Sequence, residues 1–359
     1  MFGMKKAYLI LSNGAVFEGF KIGADTECIG ETVFTTGMCG YLETLTDPSY
    51  AGQIVVQTFP LIGNYGVIPA DFEGKCAVRG YVVRELCGHP SNFRSEYTLD
   101  EFLKRENVCG ICGIDTRALT IMLRSEGVMN GKICDTPPES LDELRDYRVK
   151  GVVAEVSSPA PAVYPAESEE KFKVALIDYG AKANIVRCLQ KRGCTVETFP
   201  YDTPAEKIIE ASPDGIMLSN GPGDPAENVF CIEQIKKLIG KKPLFGICLG
   251  HQLTALAMGG KTVKLKYGHH GANQPVKELF GSRTYITSQN HGYAVDFKSL
   301  ENKGREIFIN ANDGSCEGID YPGRKCFTVQ FHPEACSGPH DTEFLFDRFT
   351  EMMGGNYNA

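Results

Sequence analysis

The stretch Lys242–Gly260, KPLFGICLGHQLTALAMGG, changes character at its middle. Leu244, Phe245 and Ile247 read as a short buried strand. Leu253, Leu256 and Ala257 then fall at helical spacing, and Gly259-Gly260 predicts the end of the helix. Cys248 sits at the junction, inside Gly246-Ile-Cys-Leu-Gly250. So sharp a strand-to-helix turn forces its central residue into a strained, exposed backbone state. Small flanking residues are needed so that the neighbouring chain can pass. The helix that follows points the partial positive charge of its N-terminus at the sulfur, which is the setting of a reactive thiol. Most cysteines are small buried hydrophobes, but the G-x-C-x-G elbow turns this reading toward a nucleophile.

Outward from the elbow the chain alternates. FKVALIDYG (172–180) is a predicted strand and AKANIVRCLQKRG (181–193) a helix; CTVETFP (194–200) is again a strand. TPAEKIIEAS opens a helix with Thr203 as cap, Pro204 in the first position and Glu206 as capping-box partner. GIMLSN (215–220), ENVFCIEQIKKLIG (227–240) and PLFGI (243–247) continue as strand, helix, strand. Such repetition predicts an α/β domain with a doubly wound, mostly parallel sheet. After residue 260 strands dominate, and DTEFLFDRFTEMM (341–353) closes as a helix.

The first half differs. KAYLILSNGAVFEGF, GETVFTT, QIVVQTF and CAVRGYVV are short strand-like runs, and Asn13-Gly14 between two of them signals a hairpin. LDEFLKRENV (99–108) reads as a helix, as does DTRALTIMLRSEG (115–127), with Ala118, Ile121, Met122 and the later apolar positions on its apolar repeat. Pro159, Pro161 and Pro165 within SSPAPAVYPAESEE (157–170) predict an extended linker. The expected organisation is a mostly β domain over 1–152, a linker over 153–170 and the α/β domain over 171–359.

The 359 residues suffice for two or three domains, with 42% hydrophobic and 23% charged residues. A net charge of −8 argues against a general nucleic-acid or anionic-membrane binder. No apolar run approaches the ~20 residues of a membrane helix. Lys5 and Lys6 ahead of Ala7–Leu11 imitate a leader peptide, but the run is short and Ser12-Asn13-Gly14 closes it. Fourteen cysteines without a framework predict a reducing, cytoplasmic setting. Cys109-Gly-Ile-Cys112 lacks the second pair that zinc would need, and His269-His270 are expected on opposite strand faces in a structural or surface role. No metal site is expected.

A nucleophilic cysteine needs a base, and the base an orienter. In KCFTVQFHPEA (325–335) Phe327, Val329 and Phe331 alternate with Thr328, Gln330 and His332, as on a strand. Residues two apart share a face there, so His332 can take the proton of Cys248 while Glu334 holds the other ring nitrogen. Pro333 restricts the backbone between them. The loop SNGPGDPAE (219–227) formally matches G-x-G-x-x-A. However, its prolines remove amides, and no acidic residue follows a second strand as a dinucleotide fold requires. Its remaining amides, with that of Leu249, suit an oxyanion instead.

FGICLGHQ, SNGPGDP, QNHG and QFHPEA together resemble the triad-type (class I) glutamine amidotransferases. FTTGMCGYLETLTDPSY, FPLIGNYG, GIDTRALTIMLRSEG, ALIDYGAKANIVRCL and YGHHGANQPVK resemble the carbamoyl phosphate synthase small-subunit family, and these matches run in order over nearly the whole chain. The resemblance implies a glutaminase in which Cys248 forms a γ-glutamyl thioester, His332 shuttles protons and Glu334 orients it. It implies L-glutamine contacts at Ser49, Gly221, Gly223, Leu249, Gln252, Asn290, Gly292 and Tyr293. Tyr293 stands where the family usually has phenylalanine. Gln252 lies one helical turn after Cys248, and Asn290-His291-Gly292 reads as an irregular turn. No phosphate-cradling loop of the G-x-x-x-x-G-K-[ST] kind occurs in the chain. Hence no cofactor is expected in it. The resemblance places ATP and Mg²⁺ in a large synthetase partner, which receives the ammonia within a higher-order hetero-oligomer. Three rivals fit less well, since the first half matches the small-subunit family, Glu334 follows His332 by two, and Cys248, His332 and Glu334 are all retained. An amidotransferase of another pathway would share only the second half. A cysteine α/β-hydrolase would carry its acid well before its histidine. A scaffold that has lost catalysis would release no glutamate.

Overall fold

The computed structural model describes residues 5–335 and 337–355. Met1–Met4, the head of the leader-like stretch, lie outside the described residues. The chain divides into two compact units, Met1–Lys150 with Lys266–His270, and Gly151–Leu265 with Gly271–Ala359. Among the described residues no helix is long and apolar enough to cross a membrane.

In the first unit seven strands close a barrel: β1 (Lys6–Leu11), β2 (Val16–Gly23), β3 (Cys28–Thr35), β4 (Gln53–Ile62), β5 (Gly80–Leu86), β6 (Cys109–Cys112) and β7 (Met129–Cys134), in the order β1-β2-β6-β5-β4-β3-β7. The leader-like run is therefore a barrel strand. Asn13-Gly14 makes the hairpin to β2: Gly14 has φ 93°, and Ala15 donates its amide to Asn13 Oδ1 at 2.9 Å. Helices α1 (Tyr41–Thr46), α2 (Leu99–Arg105), α3 (Thr116–Glu126) and α4 (Asp142–Asp146) accompany the barrel. The apolar repeat expected on α3 is displaced. Thr116, Leu119 and Leu123 are the buried positions, whereas Ala118 and Ile121 face solvent and Met122 is half-buried. Asp115 caps the helix, accepting from the amide of Ala118, so the helix starts at Thr116. Cys109 and Cys112 sit at either end of β6 and pack into two different apolar clusters, because residues three apart on a strand face opposite ways. The pair is core. His269 and His270 are also buried, which removes the expected surface role; the His270 ring lies 6.2 Å from that of Tyr50.

The second unit is built on a ten-stranded sheet: β8 (Ala162–Tyr164), β9 (Phe172–Asp178), β10 (Cys194–Pro200), β11 (Gly215–Leu218), β12 (Leu244–Ile247), β13 (Lys261–Glu278), β14 (Thr284–Asp296), β15 (Arg305–Asn310), β16 (Cys316–Tyr321) and β17 (Cys326–Val329), ordered β14-β13-β15-β16-β17-β12-β11-β9-β10-β8. The strands β10, β9, β11, β12 and β17 run parallel, and antiparallel strands extend the sheet at both ends. Helices α5 (Val152–Val156), α6 (Ala183–Gln190), α7 (Ala205–Glu210), α8 (Val229–Leu238), α9 (Leu249–Ala257) and α10 (Phe344–Met353) cover both faces. The strand residues alternate to match. Ala175, Ile177, Ile216 and Leu218 pack with α7, α8 and α9, while Val174, Leu176, Met217 and Phe245 pack with α6 and α10.

Two local expectations change. The segment expected as a linker is ordered into the second unit: Val152–Val156 is helix, and Ala162–Tyr164 adds an edge strand to β10. Ser157 Oγ donates to the Asp178 carbonyl at 2.6 Å, and the Ser158 amide to Asp178 Oδ2 at 2.8 Å. Proline suits such an edge because one side of the strand needs no donor. Helix α7 starts at Ala205 with Pro204 as its cap and no side-chain capping bond. Glu206 pairs instead with Lys237 at 3.1 Å. The reciprocal capping box occurs at Thr98 and Glu101 of α2.

Candidate active site

The parallel strands converge on one edge. Lys182 follows β9, Ser219–Gly223 follow β11, Cys248 follows β12 and His332 follows β17, all beyond the carboxyl ends of strands that are mutual neighbours in the sheet. Open α/β sheets place their ligand sites there, because the loops leaving adjacent strands meet at that edge.

Cys248 has φ 52° and ψ −103°. This is a left-sided backbone state that a β-carbon disfavours, and such strain concentrates at functional sites. The main-chain bonds on either side hold it: the Cys248 amide donates to Val329 O at 2.8 Å and the Gly250 amide to Ser219 O at 3.1 Å. The elbow glycines have a steric reason. A β-carbon on Gly250 would lie 2.6 Å from Leu218 O, and one on Gly246 would lie 3.0 Å from the Gly250 carbonyl. The helix thus sits on the strand tips more closely than any side chain permits. The Cys248 thiol is 2% exposed and donates to Asn290 O at 3.7 Å.

His332 and Glu334 lie just past β17, in a turn and not on the strand itself. The strand ends at Val329, and the His332 amide donates to Ser288 O at 2.9 Å. The turn still brings the pair together. His332 Nδ1 lies 2.7 Å from Glu334 Oε1. A carboxylate only accepts, so Nδ1 carries the proton and Nε2 is the nitrogen left for Cys248. Among the described residues Nε2 has no hydrogen-bond partner, yet the Cys248 thiol is near enough to favour the charged ring. Burial and the Lys182 ammonium push the His332 imidazole down, but Glu334 and Cys248 outweigh them and hold it up at about 9. Burial likewise raises Glu334, but His332 and Lys182 together leave its carboxyl below the usual range.

Lys182 and Asn184 were not singled out from the sequence. Lys182 Nζ lies 3.2 Å from His332 Nδ1 and 3.6 Å from Glu334 Oε1, with the residue 8% exposed. Because Nδ1 already donates to Glu334, the lysine acts on the pair electrostatically. Its own amide is fixed by Asn220 Oδ1 at 3.1 Å, and Asn184 Nδ2 donates to the Glu334 carbonyl. The usable signal was a lysine just after a buried parallel strand, where such residues are seldom buried unless paired.

The remaining expected residues fall as follows. Gln252 Nε2 donates to Tyr293 O at 2.7 Å, so Tyr293 contributes through its main chain; Lys264 Nζ stands 5.9 Å from its ring. Asn290 and Gly292 lie inside β14, which corrects the expected turn: the strand runs unbroken through QNHG. A β-carbon on Gly292 would meet nothing within 4 Å, so the sheet face opens at that residue. On Gly221 it would lie 2.4 Å from Tyr179 O and 2.7 Å from Leu249 Cδ2; Gly223 has φ 87°. Ser49 belongs to the first unit, where it is buried and its amide donates to Asp47 Oδ1 at 2.9 Å.

His251, on the first turn after Cys248, is a structural histidine. It is fully buried, with Nδ1 2.8 Å from Thr328 Oγ1, and burial pushes its imidazole down to about 3. The fold therefore holds it neutral. The stability it contributes is complete above the unfolded value near 6.5 and drains away as pH falls through that value toward 3. Between pH 6.5 and 5.0 this group should cost about 2 kcal/mol. Urea unfolding at both pH values checks it: His251→Gln should show a correspondingly smaller loss than the natural chain.

Residues 175–352 match the glutamine amidotransferase class-I family, and residues 9–133 the carbamoyl-phosphate synthase small chain, CPSase domain. The chain is 51% identical over 352 residues to the carbamoyl phosphate synthase small chain of Clostridium perfringens, covering 96% of this chain and 98% of that one. It is 51% identical over 360 residues to the Fusobacterium nucleatum small chain, covering 98% and 99%. Against that of Listeria monocytogenes it is 51% identical over 358 residues, covering 98% of each.

Proposed function

The chain belongs to the carbamoyl phosphate synthase small chain family, and on that premise we propose that Cys248, His332 and Glu334 are the triad with which it hydrolyses L-glutamine. It is the glutaminase subunit of that enzyme. What carries the assignment of the triad is one geometric fact: a buried thiol in a strained elbow, beside an imidazole whose far nitrogen is anchored on a carboxylate at 2.7 Å.

In the proposed chemistry the Cys248 sulfur, its proton already given to His332 Nε2, attacks the side-chain amide carbon of glutamine. The C–N bond then breaks, His332 returns the proton to the leaving nitrogen, and ammonia departs from a γ-glutamyl thioester. Water, deprotonated by His332, attacks the thioester; the C–S bond breaks, glutamate leaves and the thiol is restored. Glu334 keeps Nδ1 protonated and stabilises the imidazolium in both halves. The amide of Leu249, at the first helical position, is a suitable oxyanion donor with those of the Gly221–Gly223 loop. The Gly250 amide is not, because Ser219 O takes it.

L-Glutamine is proposed to lie against Gly221, Gly223, Leu249, Gln252, Asn290, Gly292 and Tyr293. Gly292 offers a direct check, since the space above it is open. Gly292→Ala should fold normally and raise KM for glutamine about tenfold or more if the ligand fills that space. An unchanged KM would remove Gly292 from the contacts. Membership of the small chain family implies a large-chain partner. ATP, Mg²⁺ and bicarbonate chemistry is proposed to reside there, with ammonia passed to it inside a cytoplasmic hetero-oligomer. The thioester itself is testable: mass spectrometry of the chain quenched with glutamine should find a γ-glutamyl adduct on the Cys248 peptide. An adduct on another cysteine would overturn the triad.

A further inference from the structure

We propose that Gln330 is a positioning residue for glutamine: it locks the carboxamide of Gln252 so that only its oxygen is left for the ligand. This rests on the reading of Gln252 as a glutamine contact and goes beyond it. Gln252 Nε2 lies 2.7 Å from Tyr293 O and 2.9 Å from Gln330 Oε1. A main-chain carbonyl only accepts, so the end of the Gln252 carboxamide that faces Tyr293 is its NH2 group, and both of its hydrogens are taken. What a ligand meets is an acceptor. Glutamine has donors to match, in its α-ammonium and its side-chain amide.

Gln330 is an unusual residue for its place. It is 0% exposed, and its main-chain amide donates to Glu317 O at 2.9 Å. Its side-chain Nε2 has no partner among the described residues. A buried NH2 without an acceptor is costly, and an apolar side chain of the same shape would avoid the cost. The carboxamide is kept against its own desolvation, and the contact that its oxygen makes is the one to Gln252. Were Gln330 turned over, two NH2 groups would face each other and the lock would open. The lock also ties together the two segments that carry nucleophile and base. Gln252 is one turn past Cys248, its amide donating to Cys248 O at 3.1 Å, and Gln330 stands two residues before His332.

Gln330→Met keeps the shape and removes the acceptor. In the full chain assembled with its large partner chain, KM for glutamine should rise about five- to tenfold, the worth of one hydrogen bond, with kcat changed by less than about twofold. The melting temperature should change little, because the loss of the unpartnered buried NH2 offsets the Gln252 hydrogen left without an acceptor; a merely structural glutamine would lower it and leave KM alone. The decisive arm is the Gln252→Met background, in which Gln330→Met should add nothing to KM. An equal rise in both backgrounds overturns the lock while leaving Gln252 a contact. A Gln252→Met chain with the natural KM overturns the contact, and the lock with it.

Discussion

Cys248→Ala should abolish glutamine hydrolysis, by roughly 10⁴-fold or more, while carbamoyl phosphate synthesis from added ammonia, a reaction proposed for the partner chain, continues. The two halves of that expectation have different physical sources. Hydrolysis needs a covalent acceptor for the glutamyl group, and the side chain that the strained elbow presents is that of Cys248. The fold does not need the sulfur. It is stabilised there by main-chain bonds to Val329 and by glycines that admit close packing, neither of which the substitution touches. Two assays on one preparation check it: glutamate release from glutamine, and carbamoyl phosphate formed with ammonium chloride. Residual glutaminase within about tenfold of the natural chain would show that another nucleophile acts.

Glu334→Gln should lower kcat by roughly 10²- to 10⁴-fold and displace its pH dependence. In the natural chain the carboxylate and the thiol hold His332 at about 9 against burial and Lys182. Removing the carboxylate leaves the Cys248 thiol alone against the two downward influences. His332 then loses its proton at a lower pH than in the natural chain. The sign for activity follows. The ring must be charged to hand a proton to the leaving nitrogen, so the alkaline limb of kcat/KM should move down by about two pH units or more. For stability the sign is the same. A folded-state value raised to about 9 contributes fully below 6.5 and is lost as pH rises through 9, and the variant lacks that contribution. A limb that stays in place would mean that Glu334 does not set the charge of the ring.

How far the sequence carried can be judged from particular residues. The elbow was legible because a glycine-flanked cysteine between an apolar run and a helical repeat has few structural solutions. The pairing of His332 with Glu334 was legible from their spacing, although the reason for it was different. The strand ends at Val329, and a turn, not strand alternation, brings the ring to the carboxylate. Asn290 and Gly292 looked like turn formers by composition, yet they continue β14, because ladder pairing outweighs local propensity. The proline-bearing segment 157–170 looked like a linker, yet Ser157, Ser158 and Ala162–Tyr164 find partners on β9 and β10.

The sequence by itself determined which chemistry was available: one elbow thiol, one histidine followed two residues later by a glutamate, and strand-helix repetition that brings its loops to one edge of a parallel sheet. Tertiary structure alone decided what surrounds them. Lys182 reaches His332 from 150 residues away in the chain, and Gln330 meets Gln252 across 78. No local pattern encodes either contact, because both depend on the order in which β9, β12 and β17 lie in the sheet. The charge on His332 depends on the same order: it follows from which charges the sheet brings beside it, not from anything in its own stretch of chain.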